Sequence, residues 1–474
     1  MIYGFSRKYL SATLIAIALL AISMPLAWNY YDVQFFIDWA NVIDEHGLLN
    51  VYKYAYRAAY PPLAIVTFYY FYKAGEYLSM KLLGLTNLDL VRVVAKVPLV
   101  ISLLLLFIVM YKEFGKEALY YLMLSYFIYS NIFAYQFDII VALGVLLSYY
   151  FYKRGSFIKS GASLALSTLY KHFIVLVAPY LGLVILKRYG WRSFTYFAVG
   201  LLIPIAVTIL PFFIQDPWAF YNQVISFHGT RYPQFYSVWA IPLHIAKDDL
   251  CRLPRALTTM WMTPFILVYL ATLATLIMLE EQGYVDVFKG MGIVVITLLL
   301  LNKVGNPTYL VWSTPFTALI VSKIKNKWAK AYYVFFHILI VFAAGYPELY
   351  SAAVLGEKYF YIENVNPLDP GVCPLDSSKC DLCWLNAREL LIKSFSGPGG
   401  EELLNFLLSF SRRYMLFVHE ALYRNVYVFR LATTLIYVST LTALMLHIYG
   451  SSQRLFEKHW RQYINKITSY ILSS

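Results

Sequence analysis

Five groups of polar residues interrupt an otherwise apolar chain, and their types are those that move protons and hold anions. Asp32 and Asp38 flank Gln34 in YYDVQFFIDWANVIDEHGLLNVYKYAYRAAYPPLAI (30–65), and Gln136 and Asp138 lie in AYQFDII. Lys171 and His172 split two apolar runs in STLYKHFIVLVAP. His228 and Arg231 occur in VISFHGTRYPQFYSVW, and Asn302, Lys303 and Tyr309 in LLNKVGNPTYLVWSTP. Taken singly, each has a plain alternative: Lys171 as a snorkelling lysine, an aspartate as a helix cap, His228 and Arg231 as a solvated loop. Together they offer two chemistries at once. Lys and Arg bind phosphate through charge-assisted hydrogen bonds and stabilise a departing phosphate. A separate carboxylate can take a proton from an acceptor hydroxyl as general base. That combination suits sugar transfer from a lipid phosphate with one-step inversion, by the logic of inverting glycosidases.

The elements that must position these groups are membrane helices. The chain has 474 residues, 60% hydrophobic and 14% charged, with a mean hydropathy of +0.60. Soluble domains carry about 25% charged residues. Apolar runs near the roughly 20-residue spanning length recur throughout. The reading is an all-α polytopic membrane protein of about twelve transmembrane helices, its first external loop built from short interfacial helices. The net charge of +13 lies largely in short loops, which fits orientation and anionic lipid headgroups rather than nucleic acid.

The positive-inside rule places the N-terminus, with Arg7 and Lys8, in the cytoplasm, and the loop holding Asp32 outside. Lys153-Arg154 with Lys159, Lys187-Arg188 with Arg192, and Lys323-Lys325-Lys327-Lys330 mark further cytoplasmic turns, as do Arg454, Lys458, Arg461 and Lys466 in the tail. External loops then fall at about 29–60, 133–138, 170–172, 214–258, 302–307 and 348–425, so all five polar groups share one face. Parity needs one correction, because three apolar segments (61–79, 89–110 and 117–133) separate two external points. The shortest, 117–133, is read as re-entrant or partly spanning, which buried backbone permits. No small-residue cleavage site follows the first apolar run, so no cleaved signal peptide is expected.

Cys251, Cys373, Cys380 and Cys383 all fall in external segments. A structural zinc site needs four ligands and no histidine is near, so a disulfide is expected in an oxidising compartment. Glu401 to Ala421 reads as an amphipathic segment along the interface. His337 and His447 lie in apolar helices without a paired partner and read as packed residues rather than haem ligands. The 44 tyrosines suit interfacial belts, with Tyr31, Tyr60, Tyr232 and Tyr309 as candidates to contact sugar.

These segments resemble the GT-C superfamily of integral-membrane glycosyltransferases, which use polyprenyl- or dolichyl-phosphate sugars. YDVQFFIDWA followed by YPPL resembles the first external loop of the dolichyl-phosphate-glucose glucosyltransferases, and STLYKHFIVLVAP their Phe-Lys-Gln…Ala-Pro helix. LLNKVGNPTYLVW and the His-Arg pair of FHGTR resemble glycosylphosphatidylinositol mannosyltransferase I. AYQFD is similar to the Gly-Gln-Phe-Asp of prokaryotic polyprenyl-phosphate-mannose transferases, with Tyr135 where those have glycine. The resemblance spans about residues 30–320 and nothing after 345. It lacks the Asp-X-Asp pattern, so no metal or other cofactor is expected, and the Trp-Trp-Asp-Tyr-Gly signature of oligosaccharyltransferases is absent.

The resemblance implies a hexosyltransferase of the cell membrane, mannose favoured over glucose, with its site on the extracytoplasmic face. Asp32 would be the general base, and Lys171, Arg231, His228 and Lys303 would bind the donor phosphate. Asp38, Gln34, Tyr60, Gln136, Asp138, His172, Asn302 and Tyr309 would contact sugar or acceptor. The implied partners are a polyprenyl- or dolichyl-phosphate sugar, a lipid-linked or protein glycan acceptor, and membrane lipids. Residues 1–347 would form the catalytic module, with loops 29–60 and 214–258; 348–425 an external cysteine-containing loop; and 426–474 a last transmembrane helix and basic tail. A transporter or flippase is the alternative, but its charges would sit near the midplane and an internal repeat would be visible.

Overall fold

A computed structural model describes residues 7–230, 233–241, 259–283, 285–350, 358–360, 384–412, 432 and 434–447. The four cysteines, Arg231, Tyr232 and the basic tail lie outside the described residues.

The described chain is helical. It begins with α1 (Arg7–Ser23), α2 (Tyr30–His46), α3 (Val51–Tyr54), α4 (Pro62–Leu83) and α5 (Leu88–Met123). It continues through α6 (Phe127–Ala134), α7 (Asp138–Lys153), α8 (Phe157–Thr168) and α9 (Ala178–Gln215). Later helices cover Met262–Glu281, Val287–Leu301, Thr314–Lys323, Lys327–Tyr350, Ala387–Ser394 and Gly400–Phe410, with a further apolar helix at Thr434–His447. Strand pairing among the described residues is limited to two small ladders, β1 (Gln234–Phe235) with β2 (Val304–Gly305) and Lys358–Phe360 with Trp384–Asn386.

Three stretches, Leu88–Met123, His172–Gln215 and Met262–Glu281, are long and apolar enough to cross a bilayer. Their outward side chains, such as Ile101, Leu104, Ile203, Val207 and Ile214, are exposed. Water would not tolerate so broad an apolar surface, and the protein is a helical membrane protein. The centre is occupied by α7 and Val287–Leu301, which are buried almost all round, as their uniformly apolar sequences require.

Two glycines in the left-handed region, Gly115 (φ 82°) and Gly190 (φ 77°), break α5 and α9 into antiparallel legs. The turns they make, with neighbouring turns, gather at one end of the bundle. There Glu113 pairs with Lys153 at 3.0 Å and Arg154 at 2.5 Å, Arg188 with Glu280, and Lys187 with Glu281 at 2.8 Å. Tyr9 donates to Glu117 at the same end. These are the basic turns expected in the cytoplasm, and they lie at the end opposite the cavity described below.

The first turns of α5 are tied to the far end of α1, where Arg92 donates to the Pro25 carbonyl at 2.6 Å and Lys96 to those of Ser23 (2.7 Å), Ala27 and Phe133 (3.1 Å). The C-terminal turn of α4 is held to the start of α5 through Ser79 and Asn87. The segment 117–133 is helical except at Leu124–Tyr126. Helix α4 carries TFYYFYKAGEY, an interfacial mixture, and its Lys73 pairs with Asp44 at 2.6 Å and Glu76 at 2.7 Å.

Helices α8 and α9 approach closely through glycine. A Cβ on Gly161 would collide with the backbone of Phe197 and one on Gly200 with that of Ile158, the small-residue packing typical of membrane interfaces. Gly200→Val forces the two helices apart. It is expected to cost about 1–3 kcal/mol, read as a lowered unfolding temperature in detergent by tryptophan fluorescence.

Candidate active site

Each candidate side chain is delivered by a break in a helix at the end away from the basic turns. Asp32 sits in the first turn of α2, whose preceding residue, Asn29, has extended backbone. Gln136 lies in the turn between α6 and α7, made possible by Tyr135 in the left-handed region (φ 58°). Glycine adopts that conformation freely. Here the tyrosine accepts it, its ring buried against Phe36, Phe68 and Phe137. Lys171 follows the end of α8 in extended conformation (φ −142°, ψ 101°) before the turn His172–Val177. Asn302 and Lys303 follow Val287–Leu301, where β2 runs parallel to β1 and Gly305 lies so close to Ser237 that a Cβ would not fit.

These breaks surround one cavity of about 530 Å³. Of the expected site residues, Asp32, Tyr60, Gln136, Lys171, His172, His228, Asn302, Lys303 and Tyr309 line it. Asp32 Oδ2 accepts from Asn29 at 2.9 Å and Gln136 at 2.6 Å; among the described residues Oδ1 receives no hydrogen bond. Burial pushes the Asp32 carboxyl above its usual range, opposed by the Lys171 ammonium, the Gln136 hydrogen bond and the Arg57 charge.

The cations occupy the other part of the cavity. Lys171 Nζ donates to Tyr60 Oη at 3.3 Å and lies 4.4 Å from the Tyr60 ring centre and 5.0 Å from that of Tyr309. Desolvation pulls Lys171 down, but the Asp138 carboxylate and the Tyr60 and Tyr309 hydroxyls outweigh it, so the ammonium ends above its ordinary range. Lys303 donates to the Gly229 carbonyl at 2.8 Å. The His228 Nε2 lies 2.8 Å from the Ala59 carbonyl, and its ring centre is 5.0 Å from that of His172.

Three expected contacts fall outside the cavity wall. Asp38 accepts from the Tyr56 amide at 2.9 Å, holding the loop before Arg57. Gln34 donates to the Tyr31 carbonyl at 3.0 Å. Asp138 is wholly buried: Oδ1 accepts from Trp312 Nε1 at 2.7 Å, while Oδ2 has no hydrogen-bond partner among the described residues. Trp312 stacks on Tyr309 at 4.6 Å, so Asp138 acts on the cavity through that pair and as counter-charge to Lys171. Asn302 lines the cavity, but its side chain accepts from the Val304 amide at 3.1 Å and so also shapes the turn.

The sequence reading passed over Arg57, which lines the cavity and donates to Tyr31 Oη at 2.9 Å. Its signal was available: a basic residue between aromatics in the very loop that holds Asp32. Leu390, Leu391, Ser394 and Phe395, from beyond residue 347, also line the cavity. Nothing in their sequence marks them. Among the described residues no three His, Cys, Asp or Glu side chains converge as a metal site.

The helical bundle thus brings one carboxylate and several cations into a cavity at one end. A model of glycosyltransferase family 87 matches residues 58–302, more than half of the chain. The chain belongs to that family and is a glycosyltransferase. No curated protein matches it. Among solved structures, it is similar to ArnT from Cupriavidus metallidurans bound to undecaprenyl phosphate, with a TM-score of 0.43 and 14% identity, over 93% of this chain and 77% of that one.

Because Asp138 is the largest influence holding Lys171 charged, Asp138→Asn is expected to lower the Lys171 pKa while keeping an acceptor for Trp312. Reductive methylation of Lys171 at pH 9, followed by peptide mass spectrometry, should then proceed several-fold faster than in the unmodified protein.

Proposed function

We propose that this glycosyltransferase moves a hexose from a polyprenyl- or dolichyl-phosphate carrier to an acceptor hydroxyl, with inversion. The observation that carries the reading is a cavity lined by Asp32, whose Oδ1 receives no hydrogen bond among the described residues, together with Lys171, Lys303, His228 and Arg57. In the reaction the acceptor oxygen bonds to the anomeric carbon as the bond from that carbon to the phosphate oxygen breaks. The phosphate leaves with the bonding pair, and the acceptor proton passes to Asp32. Burial suits Asp32 to this task, since a carboxyl raised toward neutrality is a stronger base when ionised. Lys171 and Arg57 would hold the phosphate as its charge grows, with Lys303 and His228 beside them. Tyr60, Tyr309 and His172 would border the sugar, and Gln136 would orient the base.

The sidedness follows from charge. The basic turns lie at the opposite end from the cavity, so the positive-inside rule puts the cavity on the extracytoplasmic face of the cell membrane. Counting helical legs between the two ends supports about twelve crossings, with both termini cytoplasmic. Residues 1–347 would supply most of the site, and mannose is favoured because Asn302–Trp312 resembles a mannosyltransferase segment. Membership of a glycosyltransferase family weighs against a transporter or flippase.

Purified protein in nanodiscs with a radiolabelled polyprenyl-phosphate hexose and a membrane glycolipid extract tests the reading. Asp32→Asn is expected to lower kcat by about 10²–10⁴-fold with donor binding nearly unchanged; full activity in that variant sinks the base assignment. Lys171→Ala should weaken donor binding by about 10–100-fold, the loss of one charge-assisted contact worth about 1.5–3 kcal/mol.

The pH profile carries a sign. Activity needs Asp32 ionised, so kcat/KM falls as pH drops through its raised pKa, above the ordinary value of about 3.9. Gln136→Ala removes a hydrogen bond that favours the charged form, so the acid limb should move to higher pH. A limb left in place by that change excludes Asp32 as the titrating group.

A further inference from the structure

We propose that residues 387–397, beyond the family-matching region, form the acceptor side of the cavity, and that Arg92 is the latch that holds them there. The proposal rests on the transfer reaction proposed above and names what the acceptor must present: a hydroxyl borne on an apolar carrier.

The cavity lining has two unlike parts. On one side Lys171 and Lys303 are bonded to Tyr60 and Gly229. On the other, Asn29 follows Trp28, whose amide donates to the Ser394 carbonyl at 3.1 Å, and the Tyr30 amide donates to Ser394 Oγ at 3.2 Å. Gln136 follows Phe133, whose ring lies 5.6 Å from that of Phe395. The wall here is largely apolar, with Trp28, Phe133, Leu390, Leu391 and Phe395, and Ser394 among its polar members. An inverting displacement brings the acceptor in opposite the leaving phosphate. With phosphate at the cationic end, the acceptor enters from this apolar side.

The segment is docked by backbone contact that tolerates no substitution at one point. The Gly397 amide donates to the Leu26 carbonyl at 3.1 Å. A Cβ on Gly397 would collide with the Pro25 and Leu26 carbonyls and the Arg92 guanidinium. Arg92 is fully buried in α5, donates to the Pro25 carbonyl at 2.6 Å and Ser396 Oγ at 2.7 Å, and lies 5.0 Å from the Trp28 ring centre. A buried guanidinium is costly unless its donors are used. Here they join the α1–α2 junction to the wall, so Arg92 is a positioning residue for the acceptor side.

The test uses the full-length protein in nanodiscs with polyprenyl-phosphate mannose and two probe acceptors, n-octyl mannoside and methyl mannoside. The unmodified protein should prefer the octyl acceptor by about tenfold or more in kcat/KM, the scale of burying a few methylenes. Phe395→Ala and Leu391→Ala should each remove most of that preference while donor KM stays within about twofold, and Arg92→Met and Gly397→Val should do the same by releasing the segment. A preference unchanged in Phe395→Ala and Leu391→Ala, or donor and acceptor KM moving together, overturns the assignment even if the latch variants fail to fold. Absence of both transfer and donor hydrolysis in the unmodified protein overturns the lipid-phosphate reading itself.

Discussion

A lysine buried among helices gathers the structure around it. Lys96 has no exposed surface, and an ammonium there must be solvated by the protein. It recruits the carbonyls of Ser23, Ala27 and Phe133, the backbone ends of α1 and α6 whose helical partners have run out. The two chain segments leaving those ends carry Asn29 and Asp32 on one side and Gln136 on the other. The Asn29 amide donates to the Ala134 carbonyl at 3.1 Å, and Gln136 closes the pair on Asp32. The carboxylate is therefore placed by way of a buried lysine that does not line the cavity.

The same economy of charge runs through the site. Desolvation works against the charged forms of both Asp32 and Lys171; the Lys171 ammonium opposes it at Asp32, and Asp138 opposes it at Lys171. Asp138 adds a second negative charge behind Lys171, spending one oxygen on Trp312 to fix the aromatic floor beneath it. The left-handed backbone at Tyr135 and the extended backbone at Lys171 serve one end: they stop helices where polar side chains must face a cavity, and non-helical backbone at such depth is tolerated only when it is enclosed by protein or lines a cavity.

Much of this was legible from residue types. Asp32, Gln136, Lys171 and Lys303 were picked out because polar residues inside apolar runs need a reason, and the structure gathers them in one cavity. Arg57 was as visible but looked like one more interfacial charge. The 22-residue helix α4 mixes tyrosines with Lys73 and Glu76, and Lys73 joins it to Asp44 of α2. Asp38 and Gln34 shared the loop of Asp32 but not its direction, because positions two and six residues away on a helix face other ways.

The sequence by itself determined the class, the basic end and the polar groups that could meet, because hydropathy and loop charge act through composition and short-range order. Only the tertiary structure decided that Asp138 is buried against Trp312 outside the cavity wall, and that Leu390, Leu391, Ser394 and Phe395 line the cavity. Those outcomes depend on contacts between residues hundreds of positions apart, such as Arg92 with Ser396 and Trp28 with Ser394. No local pattern encodes which backbone carbonyl a buried cation will find.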